Sequence, residues 1–218
     1  MATAGYKARA RITGVVGVAM TDEPMSVVAA SSGLVFRTTA ATKDFWDPRV
    51  AVVVEEASVV VPSGYTVDYL LGTVTFAVAP VGAVTVTGSY LTKHLIPACK
   101  SYSLAMSANL LDSTVLGDAA VARTTGLKDV SGTLERLESG LEDYTTGLSL
   151  WDVLADGAPV GLEFRTDEAA TRCTRCYALI NATNLAGGVA DLATSSVTFS
   201  GTTWANSADA VQHGDPAA

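Results

Sequence analysis

Cys173 and Cys176, within the run TRCTRCY, come closer to site chemistry than any other spacing in the chain. A CxxC pair binds zinc when a second pair completes four ligands, and Cys99 alone does not supply one. A redox CxxC needs a helix N-terminus to lower its thiol pKa. This pair lies in a strand-like run, where positions three apart face opposite sides of a sheet. Both reactive readings therefore give way to a structural one. The adjacent Arg172 and Arg175 are expected to meet acidic residues or a neighbouring chain. His94 and His213 read as surface histidines. The carboxylate pairs Glu142 with Asp143 and Asp167 with Glu168 are ordinary for a solvated surface. The sequence carries no GxSxG, P-loop, dinucleotide fingerprint or HExxH. We expect no catalytic residue, no metal ligand and no cofactor, and hence no enzyme.

The elements around these residues are strands. Of the 218 residues, 49% are hydrophobic, mostly Ala and Val, while only 17% are charged. Small and β-branched residues suit a pleated surface, and few charges suit a chain that buries surface against other copies. The net charge of −8 argues against a basic nucleic-acid patch. From Asp129 to Glu168, ten acids face only Arg136 and Arg165, which also gives −8. Such a segment reads as a solvated face or as a surface that repels phosphate. Three cysteines make no disulfide framework and fit a reducing compartment. No apolar run is long enough for a membrane-spanning helix. The alternation of Lys7, Arg9 and Arg11 with apolar neighbours reads as a strand rather than a signal peptide.

Along the chain, Tyr6 to Met20 predicts a first strand and Thr21 to Pro24 a turn. Short segments follow at Val27 to Ala30 and Leu34 to Thr38, then the turn-rich KDFWDPR of Lys43 to Arg49. β-branched runs occupy Val50 to Val54 and Ser58 to Val61. Strands around Tyr65 to Leu70, Thr73 to Val78 and Val84 to Ser89 predict a three-stranded meander. A long strand spans Leu95 to Leu110, and Asp112 to Gly126 predicts an extended loop. Val130 to Glu138 predicts a strand. Thr145 to Ala155 is the one helix candidate, capped by Thr145 or Thr146 and stopped by Gly157. Strands follow at Val160 to Phe164, Cys173 to Ala182 and Ala193 to Gly201. The segment 207–218 is expected to be a flexible tail. The fold expected is mainly β: an antiparallel β-sandwich or partial barrel with one short flanking α-helix. Its body would span 1–206, with an embedded β-meander insertion at about 43–92.

From Ser101 onward the run SYSLAMSANLLDSTVLGDAAVARTTGLKDVSGTLER resembles the tail tube proteins of long-tailed bacteriophages. In that family a long strand leads into a D-x-T loop and then a GL-x-D-x-S-G strand. Here these positions are Asp112, Thr114, Gly117, Asp118, Gly126, Leu127, Asp129, Ser131 and Gly132. A short helix, an alternating strand and closing strands follow in the family's order, at Leu148 to Leu154, Val160 to Phe164 and Val197 to Phe199. FWDP at Phe45 to Pro48 and YTVDYLLGTVTF at Tyr65 to Phe76 resemble the front half of some members.

The resemblance implies a structural subunit of a siphovirus-like virion tail, assembled in the host bacterial cytoplasm. Six copies would form a ring, their sheets joining into a continuous inner β-barrel, and rings would stack into a tube for DNA ejection. Asp112, Thr114, Leu116, Gly117, Asp118 and Arg123 would form the loop that reaches a neighbouring subunit or ring. Glu135, Glu138 and Glu163 are the acids expected to face the lumen. Partners would be a tape measure protein inside, with tail terminator and distal tail proteins at the ends. DNA would pass without specific binding. The alternatives are a tail terminator, a neck adaptor, a contractile secretion tube or a β-sandwich ligand-binding module; the module would show exposed aromatics on one face.

Overall fold

The structure, a computed structural model, describes residues 8–29, 31–96, 99–112, 120, 123–137, 150–167, 172–188, 191–207 and 209–214. Within them the chain forms β1 (Arg9–Val27), β2 (Val35–Thr38), β3 (Val53–Glu56), β4 (Val59–Val60), β5 (Tyr65–Asp68), β6 (Thr73–Phe76) and β7 (Val84–Leu95). β8 (Cys99–Asp112), β9 (Arg123–Leu137), the helix α1 (Leu150–Asp156), β10 (Val160–Arg165), β11 (Cys173–Gly188), β12 (Asp191–Gly201) and β13 (Val211–Gly214) follow. Every strand pairing is antiparallel. The main sheet runs β4-β3-β7-β1-β10-β11-β12-β9-β8. Among the described residues the protein is therefore mainly antiparallel β with one small helix, as its composition and patterning predict.

Strand alternation splits the interior into two cores. Register partners share a face, so Leu162 with Cys176 and Phe164 with Thr174 lie on one side of the sheet. That side gathers Ile12, Leu134, Val160, Leu162, Phe164, Cys176, Val197 and Phe199, closed over by Val153 of α1. The sheet curls around this first core. Tyr102 of β8 comes back over β10, with its ring 4.9 Å from that of Phe164 and its hydroxyl donating to the Arg165 carbonyl at 3.1 Å. The curl stays open, because β8 and β10 are joined by no ladder and the sheet of one chain is not a closed barrel. The opposite face of β10 and β11 carries the second core. Phe45, Trp46, Leu70, Val74, Val86 and Leu91 pack there with Tyr177.

Several boundaries differ from expectation for physical reasons. The predicted turn at Thr21 to Pro24 is a bulge inside β1, where the register to β7 slips between Met20 and Glu23 and Asp22 takes φ 48°. The predicted meander is broken. β5 and β6 pair, but β7 leaves them for β1 and β3, while β6 takes β2. Equally alternating strands give no local signal of which neighbour each one takes. The loop expected at Asp112 to Gly126 is shorter at its far side, because β9 begins at Arg123. The described part of the helix is Leu150–Asp156, inside the expected segment, and Thr145 and Thr146 lie outside the described residues. Gly157 follows the helix at φ 61°, its N–H donating to the Val153 carbonyl at 3.1 Å. The supposed flexible tail contributes β13, which pairs Val211 with Cys176 and Gly214 with Cys173.

Gly132, part of the run that carries the family resemblance, has a packing reason to be glycine. It sits in β9 between Leu104 of β8 and Phe199 of β12. A methyl group there would overlap the Phe199 ring tip and the Ser103 carbonyl oxygen. The carbonyl belongs to the ladder and cannot yield. We predict that Gly132→Ala destabilises the fold by about 1–3 kcal/mol, read as a lowered urea midpoint; an unchanged midpoint would show that this contact is not tight.

Candidate functional site

β8 and β9 build the feature that the expected loop residues belong to. β9 pairs with β12 only from Ser131 to Leu137, while its ladder with β8 continues to Asp112 opposite Arg123. Beyond Ser131 the two strands therefore leave the body as a two-stranded arm about 23 Å long, at about 3.3 Å per residue. β8 ends the sheet, so its other edge meets no described strand. Met106, Leu110 and Leu111 are each more than half exposed on this arm. A lone two-stranded ribbon is marginal in water, and an open edge with apolar side chains invites another strand. Asp112 and Arg123 are thus brought together at the described end of the arm. Thr114, Leu116, Gly117 and Asp118 lie outside the described residues.

The face of β8, β9 and β12 turned away from the first core is built from small polar residues. Register aligns Ser103 with Thr133 and Thr198, and Ala105 with Ser131 and Ser200. Ser107 with Asp129, and Glu135 with Ser101 and Ser196, extend the same rows. The Ser103 and Thr133 hydroxyls share a hydrogen bond of 2.8 Å, and Ser101 donates to Glu135 at 2.9 Å. Glu135 is exposed here, as is Asp129, which was not among the acids expected to face the lumen. Its signal was available, since Asp129, Ser131, Thr133 and Glu135 keep a period of two. A polyanion meeting these eleven positions finds hydroxyls, carboxylates and a methyl group, and no cation to bind. Glu138 lies outside the described residues.

Glu163 is not part of that face. It is 1% exposed, on the covered side of β10 between the sheet and the second core. Arg11 reaches one carboxylate oxygen at 2.7 Å and Arg165 reaches the same oxygen at 2.8 Å. Arg175 donates to the other at 2.8 Å through Nε. Arg175 is itself fully buried and also binds the Asp44 carboxylate at 2.6 Å and the carbonyls of Asp44 and Leu70 at 2.7 and 2.8 Å. Lys93 pairs with Asp44 and lies 3.7 Å from Glu163. Burial alone would raise the Glu163 pKa. The charges of Arg175 and Lys93 and the Arg165 hydrogen bond outweigh it and hold the carboxyl at about 2. The expectation of a lumen-facing acid fails because a strand position does not say which face is covered. The expectation that Arg175 meets the acidic segment holds through Glu163.

The cysteines occupy opposite faces, as their spacing predicts, and both are buried. Burial pushes the Cys176 thiol up to about 12 and raises Cys173 as well, so neither is a thiolate at neutral pH. His94 shares a hydrogen bond with Thr92 at 3.0 Å, and His213 with Thr174 at 2.8 Å. Among the described residues, no group of three His, Cys, Asp or Glu side chains could hold a metal ion, and no helix is long and apolar enough to cross a membrane.

No known family profile matches the chain, and no curated protein sequence matches it. Solved structures do. One match is a chain from the tail of an empty gene transfer agent particle refined with C6 symmetry. It is 14% identical with TM-score 0.44, covering 56% of this chain and 87% of that one. Another is a chain from the virion of a native gene transfer agent particle, 15% identical with TM-score 0.44, covering 56% of this chain and 88% of that one.

The buried Glu163 cluster has a measurable pH signature. Its folded pKa lies below the ordinary value, so its stabilisation is complete above the unfolded pKa near 4.5 and is lost as pH falls toward about 2. The difference corresponds to about 3 kcal/mol. Glu163→Gln is expected to cost about 3–5 kcal/mol at pH 7 by removing one of the two carboxylates that offset the buried Arg175 charge and to flatten the acid limb of stability against pH; a variant with the wild-type acid limb would contradict the assignment.

Proposed function

We propose that this chain is a structural subunit of a bacteriophage tail tube, self-assembling into stacked hexameric rings around a channel for DNA. The observation that carries the reading is the β8–β9 arm, with one unpaired edge and exposed Met106, Leu110 and Leu111. A strand edge of this length in a chain with few charges is satisfied most simply by a second copy. A head-to-tail contact of this kind repeats around a ring until it closes. The resemblance of the Ser101 to Arg136 run to tail tube proteins supports the same assignment. So does the face of β8, β9 and β12, whose rows of hydroxyls and carboxylates suit a wall that phosphate slides past. Asp112 and Arg123 would contact the neighbouring subunit. Glu135 and Asp129 would face the channel. A tape measure protein would fill the channel before DNA, with terminator and distal tail proteins at its ends, and the chain would reside in the virion tail.

Purified protein at rising concentration is expected to form rings and then tubes in negative-stain electron microscopy. Leu110→Asp combined with Leu111→Asp is expected to raise the concentration needed for assembly about tenfold or more, with the circular dichroism spectrum unchanged. A chain that stays monomeric at every concentration would refute the tube reading. Tubes that form equally well from the double variant would refute the role of the arm.

A further inference from the structure

The ribbon that joins the two cores is interrupted at one place. β1 and β7 pair from Arg11 to Thr13 against Leu95 to Lys93, and again from Gly17 against Leu91. Between these stretches residues 14–16 stand opposite Thr92 alone. Three residues against one make a bulge larger than the usual two-against-one kind. It begins with Gly14, is followed by Gly17, and leaves Val16 73% exposed. The ladder on its near side belongs to the first core and the ladder on its far side to the second. A glycine-flanked bulge with few ladder bonds bends more readily than the strands it separates.

Across that bulge lies the strap of residues 39–50, which touches β10 and β11 directly. Arg175 holds the strap through the Asp44 carboxylate and carbonyl, and holds Leu70 of the second core through its carbonyl. Tyr177 donates its hydroxyl to the Trp46 carbonyl at 3.0 Å, and Asn206 donates to the Pro48 carbonyl at 2.7 Å. Arg175 is fully buried and ties Asp44 of the strap to Glu163 of the sheet through one guanidinium, with Lys93 beside the same two carboxylates.

We propose that the bulge at residues 14–16 is a hinge and that Arg175 is the latch that holds the second core against the sheet. With the latch closed the two cores move as one body. With it open, the second core pivots about the bulge and loosens where it rests on Tyr177, while the first core keeps its own packing. The inference is independent of the assembly reading, since it concerns one chain.

The test compares wild type with Arg175→Met and Asp44→Asn; the second keeps the strap's main-chain carbonyl contact and serves if the first does not fold. In hydrogen exchange, amides of β2, β5 and β6 are expected to exchange about tenfold faster or more, while those of 131–137 and 194–200 are unchanged. In a Cys99→Ser background, spin labels at Val59→Cys and Thr133→Cys are expected to give one narrow distance distribution in wild type. That distribution should broaden in the latch variants. Equal acceleration in every strand would make Arg175 a global stabiliser. Acceleration confined to the second core with a narrow distance would make it a local one. No change in either measurement would leave Arg175 without the role. Each of these three results overturns the proposal.

Discussion

β10 and β11 are covered on both faces, and the rest of the molecule is arranged around that constraint. On one face Leu162, Phe164 and Cys176 close an apolar core. On the other face Glu163 and Arg175 are buried as charges. Burying a charge is tolerated only when partners replace its water. Arg175 therefore takes two carboxylates and two carbonyls, and Glu163 takes three guanidinium groups. Those demands fix where the 39–50 strap must run, and the strap in turn brings Phe45 and Trp46 down onto Tyr177.

The far end of the same sheet has no such cover. β12, β9 and β8 share the first core on one side, but their other side holds hydroxyls, carboxylates and Ala105 in open solvent. Large apolar residues on that face would have required a layer over it, and long charged ones would have filled the space before it. The arm continues this uncovered region past the body, with one edge of β8 meeting no strand among the described residues. A single chain thus has one end of its sheet satisfied internally and the other prepared for something outside itself. This asymmetry is what the proposed assembly would use.

The strands were legible because period-two alternation survives in isolation. Val160 to Phe164, Cys173 to Ala182 and Ala193 to Gly201 all fall inside observed strands, and the opposite-face placement of Cys173 and Cys176 follows from their spacing alone. Gly157 at the helix end is likewise a local signal, because its left-handed backbone suits glycine. Glu163 was misread because alternation marks two faces without saying which is wet. β7 was misassigned to β6 because its pattern fits any neighbouring strand. Asp129 was overlooked because its exposure depends on a layer that is missing on one side.

Residue types and spacing by themselves determined that this protein is a β-rich chain with a short helix before β10 and that the thiols of Cys173 and Cys176 lie on opposite faces of one strand. These properties reside in backbone preference and in side-chain period, which act over a few residues. Tertiary structure decided the partner of each strand, the face on which each acid lies, and the fate of Val211 to Gly214 as a strand on β11. Those outcomes rest on contacts between residues far apart in the chain, such as Arg175 with Asp44 and Tyr102 with Arg165. The free energy of such contacts comes from the removal of water when distant surfaces meet, and no local pattern records which surfaces those are.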